Sequence, residues 1–236
     1  RSAHCDVLIV GAGPTGLMAA LAAGRSGARV IVADEQAEMG GQLLSSTQQV
    51  SGICPWMFLN NVLKELSLMD NVMLLPRSTV SGYYDHNFLV INQKRTDHQA
   101  RIENIVSRER NWRIRARQVI LATGAIERGL VFADNARPGV MLSSAARTYI
   151  NRYAVRPGRT GLVFTNNDSA YQTAVDMHGA GMEVVGVIDT RQKISEERLS
   201  QMEALDIPVY LGHGIGGTRG NRLGLKAVAV SYTHLR

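Results

Sequence analysis

Two strand–helix–strand units separated by antiparallel strands make this an α/β chain, and three features of its 236 residues predict it. Short continuous apolar runs such as Val7–Val10 read as parallel strands buried on both faces. A glycine-rich hexamer, Gly11-Ala12-Gly13-Pro14-Thr15-Gly16, lies between that run and an Ala/Leu-rich helical stretch. An acidic residue, Asp34, closes the next apolar run, 23 positions after Gly11. The expected fold is a Rossmann-type FAD/NAD(P)-binding domain with an antiparallel meander, followed by a second, degenerate βαβ unit. Its two domains are placed at residues 1–137 and 138–236, both incomplete, with Arg137-Pro138-Gly139 at the join.

In order, Val7–Val10 is the first strand, and the helix after the glycine turn ends near Gly27, a suitable C′ glycine. Arg29–Ala33 is the second strand, Gly40-Gly41-Gln42-Leu43 a tight loop, and Pro55–Leu68 a helix with apolar residues at helical spacing. Val72–Leu75, Thr79–Tyr84 and Phe88–Gln93 alternate like antiparallel strands, with a turn at Asp85-His86-Asn87. Trp112–Ala116 and Gln118–Ala122 read as two further strands, the second running into Thr123-Gly124. The second unit then offers helices at Ser143–Tyr153, Ser169–Gly179 and Ile194–Leu205, and strands at Thr160–Thr165, Glu183–Ile188, Pro208–Leu211 and Leu225–Val230.

Composition narrows the function. Hydrophobic residues make up 45% and charged ones 19%, as in ordinary soluble proteins. The net charge of +6 is concentrated in Lys94–Arg117, where cations alternate with apolar residues as on a solvated strand face. No basic helix or aromatic platform accompanies the charge, so no nucleic-acid partner is expected. Cys5 and Cys54 are far apart and form no CxxC pair, which points to incidental thiols in a reducing cytoplasm. The uncharged run Val7–Gly24 is broken at its centre by Gly11, Gly13, Pro14 and Gly16, so no membrane span is expected. No signal-peptide pattern precedes it, and the location expected is cytoplasmic. The six histidines are scattered without metal-ligand spacing, so no metal site is expected. Ser231–Arg236 runs off a strand without a closing element, and the chain reads as a fragment.

The chemistry is that of phosphate and sugar binding. Gly11 permits the sharp strand-to-helix turn, Gly13 lets the backbone approach a diphosphate, and Gly16 removes a Cβ at the helix–strand contact. Amides of the first helical turn face the phosphates, assisted by the macrodipole, and Pro14 is tolerated early in a helix. Asp34 is placed to accept hydrogen bonds from an adenosine ribose, while Glu35 repels a 2′-phosphate and so disfavours NADP against NAD or FAD. Gly40-Gly41-Gln42 is positioned to pass beneath the diphosphate, and Thr123-Gly124 to run close to it, as in flavoproteins with two dinucleotide domains. By the same analogy Val80 lies against the adenine or is an ordinary packed valine. In the second unit, Thr165-Asn166-Asn167-Asp168-Ser169 replaces the glycine fingerprint, with Asp168 or Ser169 as helix cap, and reads as a degenerate or vacant site. Gly212–Gly217 reads as a hairpin loop, and Glu127-Arg128 as a local ion pair. No nucleophile stands beside a base, so catalytic residues are unassigned.

The GAGPTG hexamer, Asp34-Glu35, the stretch from Ala122-Thr-Gly-Ala-Ile-Glu-Arg through Asn135-Ala-Arg-Pro-Gly-Val-Met, and Phe164-Thr-Asn-Asn-Asp-Ser-Ala-Tyr171 resemble the α subunit of heterotetrameric sarcosine oxidase. The likeness runs to about Val230 and extends to opine-oxidase and cyanide-forming amino-acid oxidoreductase subunits. It implies a complex with β, γ and δ type subunits that demethylates sarcosine to glycine, with hydrogen peroxide and, given tetrahydrofolate, methylene-tetrahydrofolate. It also implies FAD on the β subunit, FMN at the α–β interface, and folate bound elsewhere in the complex. The α subunit would hold NAD non-covalently and without turnover, with contacts falling on Thr15, Asp34, Glu35, Gln36, Gln42 and Val80. The closing Ser-Tyr-Thr-His-Leu-Arg departs from the pattern and reads as a foreign junction.

Overall fold

A computed structural model of the chain describes residues 1–100, 106–222 and 224–232. Contacts divide the chain into two compact units, Arg1–Ala125 and Ile126–Arg236. The join thus falls ahead of Arg137-Pro138-Gly139. Residues between the two points pack within the second unit, where the Phe132 and Phe164 rings meet edge to face at 5.8 Å.

The first unit is one six-stranded sheet. Its strands are β1 (Ser2–Val10), β2 (Val30–Ala33), β3 (Val72–Leu75), β4 (Ser78–Tyr84), β5 (Phe88–Lys94) and β6 (Glu109–Leu121), in the order β3-β2-β1-β6-β5-β4. Two helices serve as crossovers: α1 (Pro14–Arg25) joins β1 to β2, and α2 (Pro55–Ser67) joins β2 to β3. A helical crossover returns the chain in its original direction. Hence Val72–Leu75 pairs parallel with β2, in register Val30↔Val72, and is not part of the antiparallel set. That set is β4, β5 and β6. The two strands expected across Trp112–Ala122 are one, because pairing with β1 keeps a single register from Ser2↔Arg113 to Val10↔Leu121. β6 pairs antiparallel with β5 and parallel with β1.

Apolar side chains fill both faces of the parallel strands. Ile9, Val32, Leu17, Ala20 and Leu59 join strands to helices in one cluster. Cys5, Leu8, Leu89, Ile91, Trp112 and Ile114 join the parallel strands to the meander in the other. Helix α1 ends in a double turn, with the Gly27 amide on the Gly24 carbonyl at 3.0 Å and the Ala28 amide on the Ala23 carbonyl at 3.2 Å. Gly27 takes the left-handed conformation this closure requires.

Burial pushes the Cys5 thiol up to about 11, whereas Cys54 is exposed at the start of α2. At pH 8 iodoacetamide should therefore label Cys54 in the native protein and reach Cys5 only in denaturant. Mass spectrometry of the peptides checks this, and equal labelling of both in the native protein would contradict the burial.

The second unit has a parallel sheet, β7 (Thr160–Thr165), β8 (Glu183–Asp189) and β9 (Val209–Leu211), in the order β7-β8-β9. A separate antiparallel pair, β10 (His213–Asn221) and β11 (Gly224–Tyr232), follows it. Beyond the turn at Gly212, His213–Gly217 is therefore strand and no loop: Gly214, Ile215 and Gly217 take register opposite Ser231, Val230 and Ala229. Glycines weaken a strand without preventing pairing, and the register shifts twice along the pair.

Helix α3 (Ser143–Arg147) runs into a π-helical turn, Thr148–Arg152. A 3₁₀ turn, Asp168–Ala170, leads into α4 (Tyr171–Gly179), and α5 (Glu196–Glu203) precedes β9. The Ser195 side chain accepts from the Arg198 amide and caps α5, with Glu196 and Glu197 in its first turn. Tyr171, Ala174, Val187 and Met202 are fully buried at the centre.

Candidate dinucleotide corner

The strand-to-helix corner of the first unit is built by contacts that leave no room for side chains behind it. A Cβ on Gly11 would overlap the Ala122 carbonyl, and one on Gly16 would overlap the Gly11 carbonyl. Ala122 is fixed there because its amide donates to the Val10 carbonyl at 2.8 Å. Thr123 and Gly124 follow immediately, exposed, with Gly124 left-handed.

The loop after β2 closes the corner from another side. The Gly40 amide donates to the Ala12 carbonyl at 2.9 Å, and a Cβ on Gly41 would lie 2.9 Å from the Gly13 Cα. Gly41 is itself left-handed, and Gln42 beside it is exposed.

The front of the corner is open. A Cβ on Gly13 would meet nothing within 4 Å. Pro14 and Thr15 are exposed. The amides of Gly13, Thr15 and Gly16 have no hydrogen-bond acceptor among the described residues, and the first turn of α1 contains no acid. Unpaired donors and the positive end of a twelve-residue helix thus face the same space.

Asp34 braces this corner. One carboxylate oxygen accepts from the Ala12 amide at 2.6 Å and the other from the Gln36 amide at 2.8 Å. Each oxygen keeps a further lone pair. Glu35 and Gln36 are exposed beside it. The Asp34 carbonyl accepts from the Ser78 amide at 2.7 Å, and the Gln36 carbonyl from the Arg77 amide at 2.9 Å. These two bonds bring the start of β4 against the acid. Val80, two residues on, is half-buried and packs on the meander cluster. The Asp34–Ala12 and Asp34–Ser78 links had no sequence signal beyond the acid itself.

In the second unit the equivalent turn satisfies itself. Asn167, not Asp168 or Ser169, is the cap: its side chain accepts from the Ser169 amide at 3.0 Å, and Thr165 Oγ1 donates to the Asn167 carbonyl at 2.9 Å. At the end of β8, Asp189 is completely buried and accepts from the Tyr171 hydroxyl at 2.9 Å and from Arg191 Nη2 at 2.7 Å. Nη1 of the same guanidinium reaches Asp168 at 2.7 Å. Burial, with the hydrogen bond to Asp189, holds the Tyr171 hydroxyl far above the usual phenol range.

A cavity of about 420 Å³ lies within this unit, lined by β7 and by Phe132, Leu142, Met177 and Val228. At its rim Glu127 makes no pair with Arg128. It accepts instead from the Ser143 and Ser144 amides at 3.0 and 2.7 Å and caps α3. Glu127→Ala is expected to lower the stability of this unit by about 1 kcal/mol, read by denaturant unfolding. An unchanged midpoint would remove the cap from the account. Among the described residues no group of three or more His, Cys, Asp or Glu could hold a metal ion. No helix there is long and apolar enough to cross a membrane.

Fold and corner together define an α/β chain of the two-unit nucleotide-fold type. The family described as FAD dependent oxidoreductase matches residues 6–57, which hold the glycine turn, Asp34 and the Gly40-Gly41-Gln42 loop. Among solved structures, thioredoxin reductase from T. acidophilum matches with a TM-score of 0.70, at 16% identity over 98% of this chain and 72% of that one. L-proline dehydrogenase from P. horikoshii matches at 0.64, with 20% identity over 97% of this chain and 39% of that one. These show the fold.

The particular likeness is to the alpha chain of sarcosine oxidase, as the sequence resemblance implied. The Rhizobium meliloti (strain 1021) protein is 48% identical over 80% of this chain and 19% of its own length. The Corynebacterium sp. (strain P-1) protein is 45% identical over 97% and 24%. An opine oxidase subunit from Agrobacterium tumefaciens (strain Ach5) is 29% identical over 89% and 42%. The chain therefore spans a fifth to a quarter of the length of the sarcosine oxidase proteins it matches.

Proposed function

We propose that this chain is the nucleotide-binding part of the α subunit of a sarcosine oxidase-like flavin amine oxidoreductase, and that it holds NAD non-covalently at Gly11–Gly16. The observation that carries the reading is the open front of the corner, where the free amides of Gly13, Thr15 and Gly16 converge. The cradle fits a diphosphate, because a ligand with several acceptor oxygens can satisfy these donors at once without a side chain entering.

In this reading Gly13, Thr15 and Gly16 hold the phosphates, with Pro14 shaping the turn. Asp34 offers its spare lone pairs to the ribose hydroxyls, and Glu35 repels a 2′-phosphate. Gln36, Gly41, Gln42, Thr123 and Gly124 border the ligand, and Val80 lies toward the adenine. NAD supplies a nicotinamide ring when bound, and the residues of this chain bind and orient it. Hydride or amine chemistry falls to other parts of a cytoplasmic hetero-oligomer, whose flavins, folate and amine substrate lie outside these residues.

Releasing the nucleotide from the purified full-length protein by denaturation and identifying it tests the assignment. NAD is the expected product. FAD in its place would overturn the NAD reading and favour a self-contained FAD enzyme, a reading motivated by the family that matches residues 6–57. A third reading, a scaffold that a nucleotide merely stabilises, requires Asp34→Ala to leave turnover of the assembled complex unchanged.

A further inference from the structure

The outer face of the meander carries a row of cations with few counter-charges. Along β6, Arg113, Arg115 and Arg117 are exposed while Trp112, Ile114 and Ala116 are buried. Alternate residues of a strand share a face and stand about 6.8 Å apart. The register sets Val90 and Phe88 of β5 opposite Arg113 and Arg115, with Tyr84 of β4 opposite Phe88. On the other side β1 adds Ser2 and His4 to the same face.

Arg115 lies over the Phe88 ring, 5.6 Å from its centroid, and the Tyr84 ring is 6.0 Å from Phe88. Arg113 and Arg115 have no carboxylate partner among the described residues. Arg117 reaches only Asp6, at 3.8 Å, a group already hydrogen-bonded to Arg29. The remaining acids lie at the borders: Asp85 in the turn between β4 and β5, and Glu109 beside Asn92 at the far end.

We propose that this face docks an acidic protein surface of a companion subunit, one that offers carboxylates about 7 Å apart, as an extended strand with acids at alternate positions does. Guanidinium forks two residues apart match that repeat, and each pairs bidentately with a carboxylate. Single-stranded nucleic acid fits less well. The Phe88 ring is already covered by Arg115, and Tyr83 lies opposite the buried Leu89 on the other face of the sheet, so Tyr84 is the ring left for stacking. The proposal rests on the oxidase-complex reading above, and the test separates the two.

The test uses the full-length chain, co-expressed with its neighbouring subunits, and the variant R113E/R115E. Native mass spectrometry should show the wild-type complex and a variant that has lost a companion while keeping its melting temperature. In parallel, poly-L-glutamate should bind the isolated full-length chain in low salt and at least tenfold more weakly to the variant. R113Q/R115Q, which adds no new charge, should fall between the two and serves if the glutamate variant misfolds. An intact variant complex, or equal poly-L-glutamate binding by variant and wild type, would overturn the docking face. Tighter binding of an oligo-dT strand than of poly-L-glutamate would overturn it in favour of nucleic acid. A wild-type chain that recruits no companion refutes the oxidase-complex reading, and poly-L-glutamate then decides the face alone.

Discussion

Gly16→Ala is expected to unfold or severely destabilise the first unit, whereas Gly13→Ala leaves the nucleotide-free protein as stable as wild type and abolishes tight nucleotide binding. Both glycines belong to one hexamer, yet they face opposite surroundings. The new Cβ at position 16 overlaps a carbonyl of the backbone, which no rotamer change relieves. The cost lies at or above the upper end of the ~1–3 kcal/mol typical of overpacking. At position 13 the backbone is extended and the space ahead of it is open, so the methyl group enters the volume assigned to the diphosphate. A loss of at least about tenfold in affinity corresponds to ~1.4 kcal/mol. Thermal unfolding without nucleotide, paired with a binding titration, distinguishes the two. If Gly13→Ala binds nucleotide as wild type does, the ligand does not lie against this backbone.

The second large effect concerns the other unit. Asp189→Asn should lower its stability by about 3 kcal/mol, toward the lower end of the ~3–5 kcal/mol cost of breaking a buried ion pair. The discount reflects Arg191, whose side chain is 32% exposed and which keeps its contact with Asp168. The amide keeps one acceptor oxygen, which can hold the Tyr171 and Arg191 Nη2 bonds, but its NH₂ group then faces the Arg191 backbone amide and Nε, both donors. Because the folded Tyr171 hydroxyl titrates above its unfolded value, its contribution is complete at neutral pH. It is lost only as pH rises through and beyond the ordinary phenol range. Denaturant unfolding of the variant reads the effect, and a change below about 1 kcal/mol would mean that the cluster contributes little.

The corner is legible from sequence because each of its demands is local. A left-handed Gly11, small residues where helix meets strand and an acid at a strand end all leave marks within a few positions. Strand direction is not local, so alternation alone misplaces Val72–Leu75 among the antiparallel strands, although the helix before it already requires a parallel return. The glycines of β10 resemble a loop because the partner that pairs them lies on the following strand. Asn167 outcompetes its neighbours as cap through backbone geometry that the letters do not carry. The spacing places the Asp34 carboxylate near a sugar, but its bond to the Ala12 amide depends on a turn that joins positions 22 apart. The alternation of Arg113, Arg115 and Arg117 with buried residues is legible as an exposed strand face, whereas the Tyr84–Phe88–Arg115 stack spans three strands and is not.

The ion cluster around Asp189 has a consequence for how the molecule responds to its surroundings. Nucleotide folds commonly gain firmness from the molecule they carry, so they stiffen when it is abundant and soften when it is scarce. Here Arg191 and Tyr171 bind the end of β8 to the helix beside it from within the chain, so that part of the second unit's firmness is owed to no bound molecule.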